Sequence, residues 1–256
     1  MRCRRRPSTR SPVPGCAIAP HASRREPPLT TPPDAELDAP VVSKATGRPL
    51  TKRGEATRRR LLEAAEQVFA EQGYHEASIV KITERAGIGL GTFYLYFDSK
   101  QAVFEALVID LNKRVRHSMS EAMIGAASRL EAERAGFAGF FRFTAAHPAL
   151  YRVVREAEFV SPETLHLHYT RIVEGYEEGL RAAQQVGDVD RRLDPTVTAW
   201  ALMGMGELIG MRFLLWERDA DGVPPEELDA HVFDAMMRFI DNALAPRGGT
   251  EGPTDA

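Results

Sequence analysis

The sequence predicts an all-α protein, and three observations support that fold class. Between Thr51 and Ala245, apolar residues recur at steps of three and four, the period of an amphipathic helix, and the alternation typical of a strand is absent. Residues typical of helix caps stand where these apolar stripes begin and end. The 256-residue chain is 43% hydrophobic and 27% charged, as expected of a protein that folds around a core.

The N-terminal part of this region predicts three helices and then a long fourth one. The first helix has an apolar face through Leu61 and Phe69 and ends at Gly73. Ser78 is suited to cap the second helix and Gly87 to end it, because glycine adopts the left-handed conformation without strain. The predicted ranges are residues 54–72, 79–86, 92–97 and a helix that begins after Asp98 or Ser99 and passes Leu111.

The C-terminal part predicts five more helices. Pro148, Pro162 and Pro195 each fit a first helical turn, where no backbone N–H is needed. The predicted ranges are residues 131–146, 148–157, 163–186, 195–216 and a last helix from Pro224 or Pro225 to Leu244. Glu207 and Arg212 interrupt the most apolar stretch, and each charge costs about 2.5–3.5 kcal/mol at the centre of a bilayer. That stretch therefore predicts a buried helix of a soluble bundle, and no membrane partner is expected.

Four regions are predicted along the chain. Ten of the 17 prolines lie in residues 1–50, which predicts a disordered leader, rich in proline and arginine, over residues 1–47. The helical part is divided into an N-terminal domain, residues 48–99, and a C-terminal domain, residues 100–245. A disordered tail is predicted over residues 246–256.

The charge of the chain is distributed unevenly. Residues 1–50 have a net charge of +5, residues 51–100 of +1, and the remaining residues of −9. A polyanion is therefore expected to bind at the N-terminal end. A solvated leader that contacts nothing explains the same charge pattern equally well.

Residues 78–100 predict two short helices that are joined by a tight turn. Ala86 is small where the helices meet, and Gly87 permits the positive φ that the turn needs. Four apolar side chains are placed to pack inward: Ile82, Ile88, Phe93 and Phe97. This is the helix-turn-helix arrangement, whose second helix enters the major groove of DNA.

The outward-facing residues of this segment suit a phosphate backbone. Thr92, Tyr94 and Tyr96 carry hydroxyl groups, and Gly89 and Gly91 let the backbone approach a ligand closely. Upstream, seven cations lie within 17 residues, at Lys44, Arg48, Lys52, Arg53, Arg58, Arg59 and Arg60. Such a basic arm can cover phosphates or enter a minor groove, although for any one arginine a solvated helix terminus is an equally good interpretation.

This stretch resembles the DNA-binding signature of TetR/AcrR-family transcriptional regulators over about residues 55–105. The matching positions are Ile82-Thr83, Ala86-Gly87-Ile88, Gly91-Thr92-Phe93-Tyr94, Tyr96-Phe97 and Ser99-Lys100. The resemblance implies an all-α homodimer with an N-terminal three-helix DNA-binding domain and a C-terminal domain for ligand binding and dimerisation. Repression is the commoner mode of regulation in the family.

Residue roles follow from the resemblance. Phosphate contacts are implied for Ser78, Thr92, Tyr94 and Lys100, and base or groove contacts for Leu90, Gly91 and Tyr96. Lys52, Arg53, Lys81 and Gly89 complete the predicted DNA-binding surface. Family members often have polar residues at the positions of Val80 and Leu90, so the apolar pair here is expected to rely on thymine methyl groups and DNA shape.

The C-terminal domain is rich in aromatic residues, for which two interpretations stay open. They can line an apolar effector cavity or fill an ordinary core, and the resemblance favours a cavity. The candidate cavity residues are Phe137, Phe140, Phe141, Tyr151, Phe159, Tyr169, Tyr176, Trp200 and Met203. The segment His147–Phe159 resembles that of family members with lipid-like or acyl-type effectors, so an unknown small hydrophobic effector is expected.

The last two helices predict a dimer interface. Phe233, Met236, Met237 and Ile240 recur at helical spacing, and Gly206 and Gly210 would permit close approach of a facing helix. A two-fold dimer implies a palindromic double-stranded DNA operator with half-sites about 34–36 Å apart.

The sequence argues against an enzyme. Cys3 and Cys16 both lie in the leader, which predicts neither a disulfide framework nor a cysteine metal site and suits a cytoplasmic protein. His166 and His168 are two residues apart and point to different faces, unlike metal ligands at i and i+4. No nucleophile elbow, P-loop or dinucleotide fingerprint occurs, so no catalytic residue, metal or cofactor is expected. The alternative function is a helical DNA-binding adaptor that a protein partner regulates.

Overall fold

A computed structural model describes residues 47–217 and 225–246 of the chain. Apart from Gly47 and Pro246, the predicted disordered leader and tail lie outside the described residues, as do Lys44 and Pro224. In the described part, no helix is long and apolar enough to cross a membrane.

The structure confirms the all-α prediction. The described helices are α1 (Lys52–Glu76), α2 (Ile79–Ala86), α3 (Leu90–Phe93), α4 (Lys100–Met123), α5 (Arg129–Ala146), α6 (Ala149–Val160), α7 (Pro162–Val186), α8 (Pro195–Gly210) and α9 (Ala230–Leu244). A single π-helical turn, Met211–Leu215, extends α8.

Short polar side chains cap the helices as their sequence positions predict. The hydroxyl of Ser78 accepts a hydrogen bond from the Lys81 backbone N–H at 3.3 Å, and that of Ser99 accepts from Ala102 at 3.0 Å. Asp194 caps α8 in the same way. Each bond satisfies a backbone donor that has no partner within its helix. Gly87 ends α2 in the left-handed conformation, with φ of 62°.

Several helix boundaries differ from prediction, as α1, α3 and α9 illustrate. Gly73, with φ of 74°, is a kink rather than the end of α1, which continues to Glu76. The third helix covers Leu90–Phe93 instead of residues 92–97, and a turn follows. The last helix begins at Ala230 rather than at the prolines, because the Asp229 carboxylate accepts from the backbone N–H groups of two residues in the first turn.

One hydrophobic core extends through the described helices. Leu61, Phe69 and Ile82 pack with Phe93 and Phe104 at the N-terminal end, and the same cluster continues to Leu244. Helix α4 connects the two ends, since it packs against α1, α5, α6 and α7. The predicted domain boundary at residue 100 thus falls at the start of a helix that packs in both parts of the core. The division into two domains stays a prediction.

Candidate nucleic-acid interface and internal cavity

Helices α2 and α3 form a rigid corner on α1. Ile82 and Phe93 are fully buried, and Phe97 packs beside Phe93. The guanidinium of Arg60 donates to the carbonyl oxygen of Ala86 at 2.5 Å, so α1 also holds the C-terminal end of α2. The predicted helix-turn-helix is therefore present, and α1 packs against its inner side.

The outward face of this corner is mainly apolar and aromatic. Val80, Leu90 and Tyr94 are exposed, as the resemblance requires of residues that reach a groove. Leu95, for which no role was predicted, is exposed beside them. The sequence could have indicated its exposure, because Leu95 lies next to Tyr94 and is not part of the inward-facing pair Phe93 and Phe97. A monomeric protein has little reason to expose four such side chains together.

The hydroxyl groups that are predicted to contact DNA differ in their exposure to solvent. Ser78 uses its oxygen as an acceptor in the α2 cap, which leaves its O–H free to donate to a phosphate. Tyr94 is exposed, whereas Thr92 and Tyr96 are half-buried and Tyr96 packs on the core. A methyl group added at Gly89 or Gly91 would meet nothing within 4 Å, so both positions are open to a close approach by DNA.

Two lysines of the predicted DNA-binding surface form hydrogen bonds within the chain. The Lys100 ammonium donates to the carbonyl oxygens of Tyr74, His75 and Ala77, at 2.7, 3.1 and 2.9 Å. Lys81 donates to the Gln72 side chain at 2.6 Å and to the Glu76 carbonyl at 3.2 Å. All three donors of the Lys100 ammonium are used in these contacts, so a phosphate would have to displace a carbonyl oxygen, and the phosphate contact implied for Lys100 stays a prediction. Both lysines satisfy the carbonyls at the end of α1.

Some cations of the basic arm are likewise exposed, whereas others contact the chain itself. Lys52, Arg53 and Arg59 are exposed at the start of α1. Arg58, by contrast, lies 5.5 Å from the centre of the Phe97 ring, and burial lowers its guanidinium pKa. Arg60 is held by α2. Three exposed cations thus stay available beside the helix-turn-helix for a polyanion.

An apolar cavity lies among the helices of the C-terminal half. Phe137, Phe140, Tyr151, Tyr169, Tyr176 and Met203, all predicted, line it. The other residues of its wall were not predicted to line a cavity; they are Val115, Met119, Leu150, Val154, His168, Ile172, Gly206 and Glu207. Helical periodicity marks such residues as buried but does not separate a cavity wall from a filled core.

Three predicted cavity residues lie elsewhere. Phe141 is buried on another face of α5 and packs edge-on against Phe233, with ring centres 6.2 Å apart. Phe159, at the end of α6, is 83% exposed. Trp200 is exposed on α8, with its ring 6.1 Å from that of Tyr169. Each side chain is directed away from the cavity because of its angular position on its helix.

Polar groups are concentrated at one side of the cavity. The Tyr169 hydroxyl donates to the Glu207 carboxylate at 3.1 Å. Burial raises the pKa of Glu207, and burial together with this carboxylate raises the pKa of both Tyr151 and Tyr169. Among the described residues, the buried Tyr151 hydroxyl has no well-oriented hydrogen-bond partner. A bound molecule could therefore accept a hydrogen bond from Tyr151.

His168 adds a neutral group to the cavity wall. Burial, helped by the charge of Arg116, lowers the pKa of its imidazole to about 4. The Asn112 amide donates to the His168 carbonyl oxygen at 2.9 Å and lies 3.2 Å from Nδ1 of the ring. His168 is therefore an uncharged part of the wall at neutral pH.

The residues predicted for the dimer interface serve the fold of a single chain. Met237 and Ile240 are 0% exposed, and Met236 is buried with them. A methyl group on Gly206 would lie 2.7 Å from the Phe137 ring, and one on Gly210 would lie 2.9 Å from the Tyr151 hydroxyl. These glycines make room for cavity aromatics, so their assignment to a dimer contact is corrected. Phe233 is half-buried against Phe141 and Arg134.

Apolar side chains are also exposed on the last two helices. They are Val197, Trp200, Ala201 and Leu208, which form a stripe at helical spacing on α8, and Phe239 on α9. Leu208 and Phe239 are 62% and 63% exposed. Phe239 lies on a different face of α9 from the residues predicted for the dimer interface.

Polar contacts join α1 to the C-terminal half at two places. Glu156 of α6 accepts from the Tyr74 backbone N–H at 2.8 Å, and Arg152 donates to the Ala70 carbonyl oxygen. Nearer the middle of α1, Glu66 contacts both Arg114 and His147 at 3.0 Å. Helix α6 therefore lies between the cavity, which it lines with Tyr151 and its neighbours, and the DNA-proximal helices.

Comparison with known proteins identifies related sequences. Residues 61–107 match the family described as "Bacterial regulatory proteins, tetR family". An uncharacterized HTH-type transcriptional regulator of Bacillus subtilis, YdgC, is 31% identical over 171 residues, which cover 65% of this chain and 85% of YdgC. The similarity therefore extends well beyond the helix-turn-helix.

Two further comparisons concern fatty acids. The fatty acid metabolism regulator protein of Bacillus subtilis is 27% identical over 159 residues, 56% of this chain and 82% of that protein. The crystal structure of the regulator FadR from Bacillus subtilis in complex with stearoyl-CoA has the same fold, with a TM-score of 0.60 and 18% identity over 73% of this chain and 98% of that one.

Proposed function

Because this chain belongs to the TetR family of DNA-binding transcriptional regulators, which are not enzymes, we propose that it is a homodimeric repressor. In this proposal it binds a palindromic operator through α2 and α3, and it leaves the operator when a hydrophobic effector fills the cavity. The observation that carries the proposal is the combination of an exposed helix-turn-helix corner with an apolar cavity in one continuous core.

The DNA-binding step relies on the exposed corner. Lys52, Arg53 and Arg59 supply charge for phosphates, and Ser78 and Tyr94 supply hydroxyl donors. Val80 and Leu90 offer apolar contacts that suit thymine methyl groups. Gly91 lets the backbone approach the groove.

The dimer is proposed to form through the exposed apolar side chains of α8 and α9. Burial of Leu208 and Phe239 against a second copy would remove large apolar side chains from water. A two-fold interface of this kind pairs two helices of each copy and sets the distance between the two helix-turn-helix corners. The operator would then be palindromic, because each half-site meets the same surface.

The effector is proposed to contain a long acyl chain. The cavity wall is almost entirely apolar, which suits a hydrocarbon chain, and Met119 and Met203 are adaptable in shape. The names of two relatives, one a fatty acid metabolism regulator and one in complex with stearoyl-CoA, support the same class.

Release from DNA is proposed to follow from movement of α4 and α6. Both helices line the cavity, α4 through Val115 and Met119 and α6 through Leu150, Tyr151 and Val154, and both contact α1. An effector that spreads them would change the separation of the two corners in the dimer. A coupling of about 1–3 kcal/mol lowers operator affinity roughly 5- to 150-fold.

Selection from a random pool of duplex DNA, with the full chain at near-physiological salt, tests this function. Enrichment of a palindrome that is lost on addition of an acyl effector is expected. Thermal-shift titration with the same compounds should show concentration-dependent stabilisation. Palindrome enrichment without stabilisation by any apolar compound would instead favour the DNA-binding adaptor that a protein partner regulates.

The Tyr94→Phe variant tests the proposed DNA-binding surface by removing one hydroxyl group. Its operator affinity should fall about tenfold, because a hydrogen bond to a charged phosphate is lost, while the ring and the fold are kept. Fluorescence anisotropy measures the affinity, and size-exclusion chromatography checks that the oligomeric state is unchanged. An affinity equal to that of the wild type would remove Tyr94 from the proposed interface.

A further inference from the structure

Glu66 lies near the middle of α1 and holds its carboxylate against the C-terminal half of the chain. The side chain is 13% exposed. One carboxylate oxygen lies 3.0 Å from the Arg114 guanidinium of α4, and the other lies 3.0 Å from Nδ1 of His147. A second nitrogen of the same guanidinium lies 3.0 and 2.9 Å from the two ring nitrogens of His147. We call these three residues the Glu66 cluster.

The side chains of the Glu66 cluster complement one another as donors and acceptors. A carboxylate only accepts hydrogen bonds, and a guanidinium only donates them. An imidazole that donates from Nδ1 to Glu66 and accepts at Nε2 from Arg114 satisfies both partners, so the contacts assign this tautomer to His147. Glu66 is therefore bound by two donors at once, at a mostly buried position where loss of either donor is costly.

Both partners of Glu66 adjoin the cavity wall. Val115, which follows Arg114 on α4, lines the cavity, and Leu150 lines it about one helical turn after His147. His147 also connects the end of α5 to the start of α6. A molecule that displaces the cavity wall would therefore displace the partners of Glu66 as well.

Helix α1 connects Glu66 to the helix-turn-helix. The same helix carries Arg60, whose guanidinium donates to the Ala86 carbonyl oxygen at the end of α2. Leu62 and Phe69 of α1 are buried in the core that α2 and α3 share. A shift of α1 at Glu66 would thus be passed on to the corner that is proposed to contact DNA.

The other polar attachment of α1 to the C-terminal half has a different geometry. Glu156 accepts from the Tyr74 backbone N–H and Arg152 donates to the Ala70 carbonyl oxygen, so both partners of α1 there belong to α6 alone. This attachment can follow α6 as a unit. Glu66 instead contacts α4 and the junction of α5 and α6 together. A change in the distance between these elements breaks one of its bonds, because a hydrogen bond stretched to about 3.6 Å is lost.

We propose that the Glu66 cluster couples the cavity to the DNA-binding helices. The cluster is intact in the DNA-binding state, and an effector that moves α4 relative to α6 breaks it and releases α1. Glu66 is thus a positioning residue, which acts through α1 rather than by contact with DNA or effector. Its directional bonds give the coupling two states, intact and broken, that both sites bias. The inference depends on the proposed function, because it assumes an effector in the cavity.

Glu66→Gln tests the coupling, because the amide keeps the shape of the side chain and loses its charge. Linkage requires that a variant which favours the broken state binds the operator more weakly and the effector more tightly. We expect operator affinity to fall about tenfold and effector affinity to rise by up to about the same factor, as the loss of one hydrogen bond to a charged group predicts. A substitution that only destabilised the fold would not tighten ligand binding.

The measurements use the full chain and the palindrome that selection recovers. Stearoyl-CoA and dodecanoic acid, each below its critical micelle concentration, serve as effector probes. Fluorescence anisotropy measures operator affinity without and with a probe, and isothermal titration calorimetry measures probe affinity without DNA. The ratio of operator affinities without and with the probe should fall towards one in Glu66→Gln. Urea unfolding and size-exclusion chromatography accompany each variant.

Two matched substitutions of glutamate by glutamine serve as controls. Glu71→Gln removes the ion pair of α1 with Arg85 of α2, and Glu156→Gln changes the attachment that involves α6 alone. Neither should change the ratio of operator affinities. Arg114→Gln should reproduce the effect of Glu66→Gln, and the double variant should add nothing further, because both changes break the same contact.

The outcomes separate this inference from the proposed function. Unchanged operator and probe affinities in Glu66→Gln overturn the coupling role and keep the effector. Weaker binding of both operator and probe, or additive effects in the double variant, assigns the cluster to folding alone and likewise overturns the proposal. Failure of both probes to bind the wild type refutes the acyl effector. The cluster is then judged by operator affinity, which must still fall in Glu66→Gln and not in Glu71→Gln.

Discussion

At the level of single residues, the Lys100 ammonium joins the end of α1 to the start of α4. It donates to three carbonyl oxygens and also lies 4.4 Å from the centre of the Tyr74 ring. The last carbonyls of a helix have no partner within it, so a cation at this place satisfies them. The residue therefore stabilises the framework of the helix-turn-helix, and we expect this role rather than a phosphate contact.

Substitutions of two lysines distinguish a role in stability from a role in DNA binding. Lys100→Ala should lower the free energy of unfolding by about 1.5–3 kcal/mol, because bonds from a charged donor are lost, and leave the salt dependence of operator binding unchanged. Lys52→Ala, at an exposed position, should keep stability within about 0.5 kcal/mol and reduce the salt slope by roughly 1 if it contacts a phosphate. Urea unfolding and affinity against salt concentration measure both. A shallower slope for Lys100→Ala would contradict the assignment.

Glu207 makes stability depend on pH. Because its pKa is raised in the folded chain, the folded chain binds its proton more tightly than the unfolded one, and stability is lost as pH rises from the ordinary value of 4.5 through the raised pKa. Glu207→Gln should therefore be more stable than the wild type at neutral pH, and the difference should disappear near pH 4.5. Urea unfolding at the two pH values tests this, with the exposed Glu178→Gln as a control. A difference independent of pH would point to packing instead.

At the level of elements, α8 has two faces with opposite roles. Gly206 faces the cavity, where an added methyl group would lie 2.7 Å from the Phe137 ring. Two residues earlier, Gly204 has nothing within 4 Å of the same position. The cavity therefore depends on a small residue at one point of α8, and the outer face does not.

Two glycine substitutions on this helix form a matched pair. Gly206→Ala should lower the free energy of unfolding by about 1–3 kcal/mol, since the Phe137 ring must shift, and should weaken effector binding. Gly204→Ala should raise stability by about 0.5–1 kcal/mol, because alanine has the higher helix propensity. Thermal unfolding with and without an acyl ligand compares them. Equal stability changes for both would show that the ring does not occupy this space.

At the level of the whole molecule, the proposed dimer would connect assembly to DNA recognition through the exposed apolar side chains of α8 and α9. A dimer that buries Leu208 and Phe239 holds two helix-turn-helix corners at one separation. Both half-sites of an operator then bind as a unit. The acidic C-terminal part of the chain, with a net charge of −9 after residue 100, disfavours contact with DNA elsewhere.

Leu208→Glu should therefore produce monomers and lower affinity for a palindrome about a hundredfold or more, because simultaneous engagement of two half-sites is lost. Light scattering coupled to size exclusion measures the mass, and anisotropy measures the affinity. Ile124→Glu, which places the same charge at an exposed position after α4, should leave both unchanged. A dimeric Leu208→Glu protein would exclude this stripe as the interface.

Features that depend on neighbouring residues were predicted correctly from local sequence patterns. Helix α2 begins after Ser78 and ends before Gly87, as predicted, because a cap and a left-handed glycine act within one helical turn. The pattern around Gly91, Tyr94 and Phe97 was sufficient to identify the family, since each position has a local geometric requirement. The all-α fold follows from the same apolar periodicity.

The surface that each buried or charged side chain contacts depends instead on how the helices pack in three dimensions. Periodicity showed that α9 has an apolar stripe, but Met237 and Ile240 pack within their own chain while Phe239 faces outward. Lys100 finds its acceptors 23–26 residues away in the chain, a contact that no local pattern encodes. Whether aromatic side chains enclose a cavity or fill a core likewise depends on how several helices pack, because the same hydrophobic effect drives both arrangements.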